Sequence, residues 1–178
     1  MKKMFSLGLV ILLLGVGLLM LPRLTPNHSQ ASTPTTASST RKRPTPKLTV
    51  SELKHQRKLT YSAIIYFAIK HAKLQRWQEV SDFKLGWQVE NYQRNGQTKS
   101  LVWPDQHIQD NAKNLAPNWF RLTDQHVLYD SMIVHSFRQD QTKTTTLSEI
   151  VKQINADHAA AKVRAMPENM TVITHRAT

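Results

Sequence analysis

The chain has 178 residues, five glycines and no cysteine, with 24 Lys and Arg against 12 Asp and Glu, for a formal net charge of +12. Without cysteine there is no disulfide, no thiolate nucleophile, no cysteine-ligated zinc or iron–sulfur site and no thioether lipid anchor. Residues 1–47 carry seven basic side chains and no acid, and the rest carry seventeen against twelve, so the basic total belongs more to the leader than to a nucleic-acid surface.

Met4 to Leu21 is an eighteen-residue run without a charge, behind Lys2 and Lys3. As a helix it rises about 27 Å, close to the roughly 30 Å hydrocarbon core of a bilayer, and it exceeds the roughly 7–15 residues of a secretory h-region. Lys2 and Lys3 hold the N-terminus on the cytoplasmic side. The expectation is a signal anchor over residues 1–21, with the membrane crossed by residues 4–21 and a single-pass chain whose C-terminal domain lies outside the cell. The alternative is secretion after signal cleavage, for which Ser29-Gln30-Ala31 has small-x-small form but stands far past the apolar run. Residues 22–47 are dominated by Thr, Ser and Pro. Such a tract buries too little surface to offset its ordering entropy and reads as a disordered, rather stiff stalk. Within it, Arg41-Lys42-Arg43 is suited to lipid head groups or to wall polymers such as teichoic acids, or simply to solubility.

Residues 48–178 make one domain of ample size for a single core. Thr49-Val50-Ser51-Glu52 has capping-box form, and Tyr61, Ile64, Ile65, Ala68 and Ala72 recur at helical spacing on one broad face, predicting a helix to about Lys73 with Trp77 and Val80 on a further turn. The period then changes. Trp87–Arg94 and Gln97–Trp103 flank Asn95-Gly96, the pair suited to a type I′ turn, which predicts a hairpin with Val89 opposite Val102, Glu90 opposite Leu101 and Gln88 opposite Trp103. Pro104 ends the second strand, and Asp105 to Pro117 reads as loop. Trp119, Phe120 and Leu122 open a second pairing, Val127 to Phe137 reads as a long central strand, and Arg138 to Thr145 as a polar tract. Thr146-Leu147-Ser148-Glu149 is a second capping box, opening a helix with Leu147, Ile150, Val151 and Ile154 inward. A short helix over Asp157–Met166, stopped by Pro167, and an edge strand over Thr171–Thr174 complete an α+β domain with helices packed on an antiparallel sheet.

Most chemistries are excluded. The domain has only Gly86 and Gly96, too few for a P-loop or a dinucleotide fingerprint, and it has neither a nucleophile elbow nor a His-Glu-x-x-His helix. Its histidines (His55, His71, His107, His126, His135, His158 and His175) nowhere pair at metal-ligand spacing, so neither metal nor cofactor is expected. His135, in Ile133-Val134-His135-Ser136-Phe137, is the one histidine for which a catalytic arrangement suggests itself, as base for Ser131 or Ser136 with Asp130 or Asp140 orienting it; a half-buried, hydrogen-bonded histidine is the plainer reading. Glu79, Asp82, Glu90, Asp105 and Asp110 could supply a carboxylate pair for sugar hydrolysis, with no spacing that singles one out. Trp77, Trp87, Trp103 and Trp119 flank the hairpin, and of these Trp103 and Trp119, beside loops, are the ones expected to meet a ligand rather than the core.

At Leu101-Val102-Trp103-Pro104, Asn118-Trp119-Phe120 and Thr146-Leu147-Ser148-Glu149-Ile150-Val151 the chain resembles small uncharacterised exported proteins of lactic acid bacteria. That resemblance covers most of residues 48–178 and implies a Gram-positive surface location. It carries no catalytic residue, and most such relatives are lipoproteins, whose lipid-bearing cysteine this chain lacks. The expectation is therefore a membrane-anchored, non-enzymatic binding module for an envelope component such as a cell-wall polymer, or for a surface protein, with Trp103, Trp119 and His135 as candidate ligand-binding residues. The alternatives are a wall-active hydrolase using His135 with a nearby carboxylate or hydroxyl, and an inhibitory or chaperone-like partner protein.

Overall fold

The computed structural model describes residues 45–113, 117–131 and 141–175, all within one compact unit that runs from Lys42 to Thr178. The expected membrane segment, residues 4–21, and the stalk up to residue 44 lie outside the described residues. Among the described residues no helix is long and apolar enough to cross a membrane.

Six strands form one sheet: β1 (Trp87–Arg94), β2 (Gln97–Pro104), β3 (Asn118–Thr123), β4 (His126–Ser131), β5 (Gln141–Thr146) and β6 (Met170–His175), in the order β5-β4-β3-β2-β1-β6. Asn95 and Gly96 both take positive φ, 51° and 73°, as a type I′ turn requires. The hairpin they close pairs Val89 with Val102, Glu90 with Leu101 and Gln88 with Trp103, the register expected from the sequence. The sheet is not purely antiparallel, however. β6 comes back beside β1 and runs parallel to it, which a helical crossover permits and a hairpin does not.

One strand expectation needs correction, and a second is described only in part. Gln141–Thr146, read from the sequence as part of a polar tract, is the edge strand β5, paired with β4 from Ser131 to His126. Its Thr-rich composition favours extended backbone, while as an edge strand it shields little of the core and so shows no apolar alternation. The strand expected to run from Val127 to Phe137 is described as β4 up to Ser131, and residues 132–140 lie outside the described residues.

The helices are α1 (Val50–His55), α2 (Arg57–His71), α3 (Leu147–Ala156) and α4 (Ala160–Ala165), with 3-10 turns at Gln75–Val80, Asp110–Ala112 and Met166–Asn169. The first helical stretch is broken at Gln56, whose extended φ and ψ of −134° and 93° end α1 and start α2. Thr60 bridges the break by donating its hydroxyl to Leu53 O at 2.6 Å. Both capping boxes are half made. Thr49 and Thr146 accept from the backbone N–H of Glu52 and Glu149, but each carboxylate turns elsewhere, Glu52 to Arg164 at 2.7 Å and Glu149 to Gln153 at 2.6 Å. Arg164 also donates to the carbonyls of Pro46 and Lys47, fastening the chain where it enters the domain.

α2 is the axis of the core. The sequence predicts one apolar face, yet every residue from Leu59 to Ile69 is buried. The sheet covers one side, where Tyr61 meets Phe120 edge-on at 5.3 Å and Tyr129 donates to Ile64 O; α1, α3 and α4 close the other. Small residues at Ser62, Ala63 and Ala68 leave room for that approach, and Ser62 satisfies its hydroxyl on Lys58 O.

Candidate functional site

Alternation along the strands divides the sheet into two unlike faces. Trp87, Val89, Val102, Phe120, Val127 and Tyr129 form the face buried against the helices. Trp77 and Trp87 are fully buried on that side, and their indole N–H groups donate to Asp130 O at 3.2 Å and Val80 O at 2.8 Å. These two tryptophans belong to the core.

The opposite face carries Gln88, Glu90 and Tyr92 from β1, Lys99, Leu101 and Trp103 from β2, Trp119 and Arg121 from β3, and Leu128 and Asp130 from β4. None of α1–α4 covers it. Trp103, Trp119, Leu101 and Leu128 are half-buried, and Tyr92 and Ile173 are exposed at 41% and 36%. Cations lie over both indoles: Lys99 Nζ stands 4.4 Å and Arg121 Cζ 5.7 Å from the Trp119 ring centre, and Lys113 Nζ 5.8 Å from that of Trp103. The two strand carboxylates on this face, Glu90 and Asp130, are buried, so the charge that the strands present to solvent is positive. A depression of about 260 Å³ beside the hairpin is lined by Tyr92, Arg94, Asn95, Gln97, Lys99 and Arg121, and Arg121 has its Nε buried without an acceptor.

Glu90 organises the other half of the face. Its Oε1 accepts from Lys113 Nζ at 2.6 Å and Gln88 Nε2 at 2.8 Å, and its Oε2 from Tyr92 OH at 2.9 Å. His175 Nε2 lies 3.0 Å from the same Oε2 while its ring stacks on Tyr92 at 4.2 Å. Lys113 is brought there by the loop after β2, which is tied down where Asp105 and Gln106 donate to the carbonyls of Gly86 and Leu85. Burial alone would raise the Glu90 carboxyl, but Lys113 and the other donors outweigh it and hold it down to about 2. Glu90 is thus an ionised structural anchor and not a general acid at neutral pH.

The sign of the linkage follows. A carboxyl depressed in the folded state contributes stability above its unfolded value, near 4.5, and loses it as pH falls towards 2. Glu52 and Asp157 are shifted the same way, by Arg164 and by His71 with Tyr66. We expect stability to drop between roughly pH 4.5 and 2, with Glu90 accounting for on the order of 3 kcal/mol. Urea unfolding midpoints across that range check it; a flat profile would contradict the assignment.

At the end of this face β2 outlasts β3, because Asn118 pairs with Val102 and leaves Trp103 and Pro104 beyond the pairing. A cavity of about 280 Å³ opens there, lined mainly by Val80, Val102, Trp103, Pro104, Ile108 and Asn118. Two polar atoms of its lining residues are buried without partners, Trp103 Nε1 and Asn118 Oδ1. Leaving such groups unpaired costs about 1–3 kcal/mol each.

The other residues singled out from the sequence are dispersed. His135, with Ser136 and Asp140, lies outside the described residues, while Asp130 and Ser131 stand on opposite faces of the sheet. Among the five acids, Glu79 pairs with Arg76, Asp82 caps Lys84 and Asp105 caps His107. Glu90 and Asp110 meet only through Lys113, which holds Asp110 at 2.7 Å. His71 joins Asp157 at 2.7 Å, where Tyr66 also donates, and fastens the end of α2 to that of α3. Among the described residues no group of His, Asp and Glu could hold a metal ion.

The roles of Lys99, Arg121 and Lys113 were missed in the sequence. The hairpin register already placed Lys99 opposite Tyr92, but the loop return that brings Lys113 to Glu90 leaves no local signal. Comparison of the chain with protein-family models, with curated proteins and with solved structures returns no match.

Proposed function

We propose that this chain is a membrane-anchored binding module of a Gram-positive cell surface, non-enzymatic, with residues 4–21 as anchor, residues 22–47 as stalk and the α+β domain outside. Its ligand on this reading is an anionic, phosphate-bearing wall polymer, held on the open sheet face. The observation that supports this most is the pairing of half-exposed indoles with cations on a face whose own strand carboxylates are buried. Lys99 and Arg121 are positioned for phosphate, and the depression they line with Arg94 is basic. Trp119 supplies an apolar platform for the polymer backbone. The described residues add no observation in favour of the hydrolase built on His135.

Trp119→Ala, and separately Lys99→Gln with Arg121→Gln, are expected to reduce retention on purified Gram-positive cell walls by about tenfold or more, while circular dichroism and unfolding midpoints stay near those of the parent chain. Unchanged retention in both variants would refute this face as the binding surface.

A further inference from the structure

The tip of the β1–β2 hairpin places a reactive dipeptide at the edge of the basic depression. Asn95-Gly96 is the one asparagine–glycine pair in the chain. Both residues are exposed, and a Cβ built on Gly96 would meet nothing within 4 Å, so the Gly96 nitrogen is unshielded. Among the described residues the Asn95 carboxamide has no hydrogen-bond partner. Asparagine is a chemically labile residue, because the next backbone nitrogen can attack its side-chain carbon and close a five-membered ring. Closure needs Cβ and that nitrogen eclipsed about the Cα–C bond, a ψ of roughly −120°, which is the value a type II′ turn gives its first central residue. Asn95 already has a φ of +51°, close to the roughly +60° of that turn. Only the peptide plane between Asn95 and Gly96 must flip, carrying Gly96 from positive to negative φ, which glycine adopts about as readily. Types I′ and II′ both close a two-residue hairpin, so the reactive geometry is reached with β1 still paired to β2.

We propose that Asn95 is a site of spontaneous one-way modification that weakens the basic face as the chain ages. The Gly96 nitrogen forms a bond to Asn95 Cγ, its proton passes to Nδ2, and the Cγ–Nδ2 bond breaks to release ammonia. Water then opens the cyclic imide. Cleavage of the new N–Cγ bond leaves aspartate, and cleavage of the former peptide's N–C bond leaves isoaspartate. The net reaction consumes one water and releases one ammonia, with no change of oxidation state. Both products put a carboxylate at the depression that Asn95 lines with Tyr92, Arg94, Gln97, Lys99 and Arg121, none of them acidic. There it competes for the cations that would meet a phosphate. Isoaspartate also adds a backbone carbon to the turn whose two-residue length holds Lys99 opposite Tyr92. The effect on a ligand rests on the reading of this face as a phosphate-binding surface; the conversion itself does not.

The test holds the full-length chain, folded in mild detergent, in mildly alkaline buffer and samples it over time. Peptide mapping by mass spectrometry follows the amide-to-acid exchange at each asparagine. Asn111, exposed but followed by Ala112, is the internal reference, and Asn95 should convert well before it. Fresh and aged samples are then compared for retention on immobilised inorganic polyphosphate and on purified Gram-positive cell walls. The converted chain should be held about two- to fivefold more weakly, the effect of one surface charge pair, and fresh Asn95→Asp should match it. Asn95→Gly cannot cyclise yet suits the same turn, so its aged and fresh samples should be retained equally, which separates this reaction from general damage. Conversion at Asn95 no faster than at Asn111 would overturn the modification site. Full conversion with unchanged retention on polyphosphate would overturn its effect on the face. A fresh chain held by polyphosphate but not by walls would sink the wall-polymer reading alone. A fresh chain held by neither would sink the basic face and the switch together, while the conversion itself stands or falls on mass.

Discussion

Gly86→Ala is expected to lower the free energy of unfolding by about 2–5 kcal/mol, combining a left-handed backbone penalty with overpacking. Gly86 sits at φ +73°, and a Cβ there would fall 2.0 Å from Asn169 O and 2.8 Å from Asn169 Cβ. Asn169 has little room to withdraw, since its Nδ2 donates to Phe83 O at 3.1 Å and the next residue, Met170, opens β6 against Trp87. The Gly86 carbonyl also accepts from Asp105, so the same strain reaches the loop that delivers Lys113. Gly96→Ala is the internal control. Gly96 has the same φ of +73° but nothing within 4 Å, so only the backbone term of about 1 kcal/mol applies. Urea unfolding of the two variants side by side measures the difference, and equal losses would show that the contact with Asn169 is not close.

Removing Glu90 should cost about 3–5 kcal/mol, the usual consequence of breaking a buried charged pair from one side. In Glu90→Ala the groups around Gln88, Lys113, Tyr92 and His175 lose a shared acceptor that is 4% exposed. Lys113 keeps Asp110, which limits the loss on that side. The variant should also lose Glu90's share of the acid-dependent fall between roughly pH 4.5 and 2, while Glu52 and Asp157 keep theirs. Measured against domains of 5–15 kcal/mol total stability, either substitution removes a large fraction. A Glu90→Ala loss below about 1 kcal/mol would mean that the cluster is solvated and that this half of the face is not rigid.

The local parts of this fold were legible wherever the chain marks its own backbone. Asn95-Gly96 announces a turn with two positive φ angles, and that turn then dictates every cross-strand partner of β1 and β2. Thr49 and Thr146 announce helix starts because each hydroxyl accepts from a free N–H of the first turn, three residues on. Where tertiary context decides, the same reasoning fails. Gln141–Thr146 has no apolar residue to alternate, so its pairing with β4 follows from β4's unsatisfied backbone edge and not from its own pattern. The break at Gln56 has no proline or glycine to mark it. The parallel return of β6 depends on how α3 and α4 cross over, which no periodicity records.

The site was legible to a similar degree. Trp103 and Trp119 share the open face because the hairpin register and the β2–β3 pairing put them there, while Trp77 and Trp87 were drawn into the core by partners at Asp130 and Val80. The cations over the indoles were out of reach, since Lys113 arrives through a loop and Arg121 through the register of a strand pair with no diagnostic turn. The carboxylate cluster around Glu90 likewise draws on β1, β6 and the loop after β2. Only the Gln88–Glu90–Tyr92 alternation was visible beforehand.

The most direct measurement mixes the full-length chain with purified Gram-positive cell walls and sediments the mixture at low and high salt. The proposed function predicts strong retention at low salt, a large loss when screening shortens the reach of Lys99 and Arg121, and a residual salt-resistant fraction that Trp119→Ala removes. No retention at low salt, or retention identical in the Trp119→Ala chain under both conditions, would contradict it.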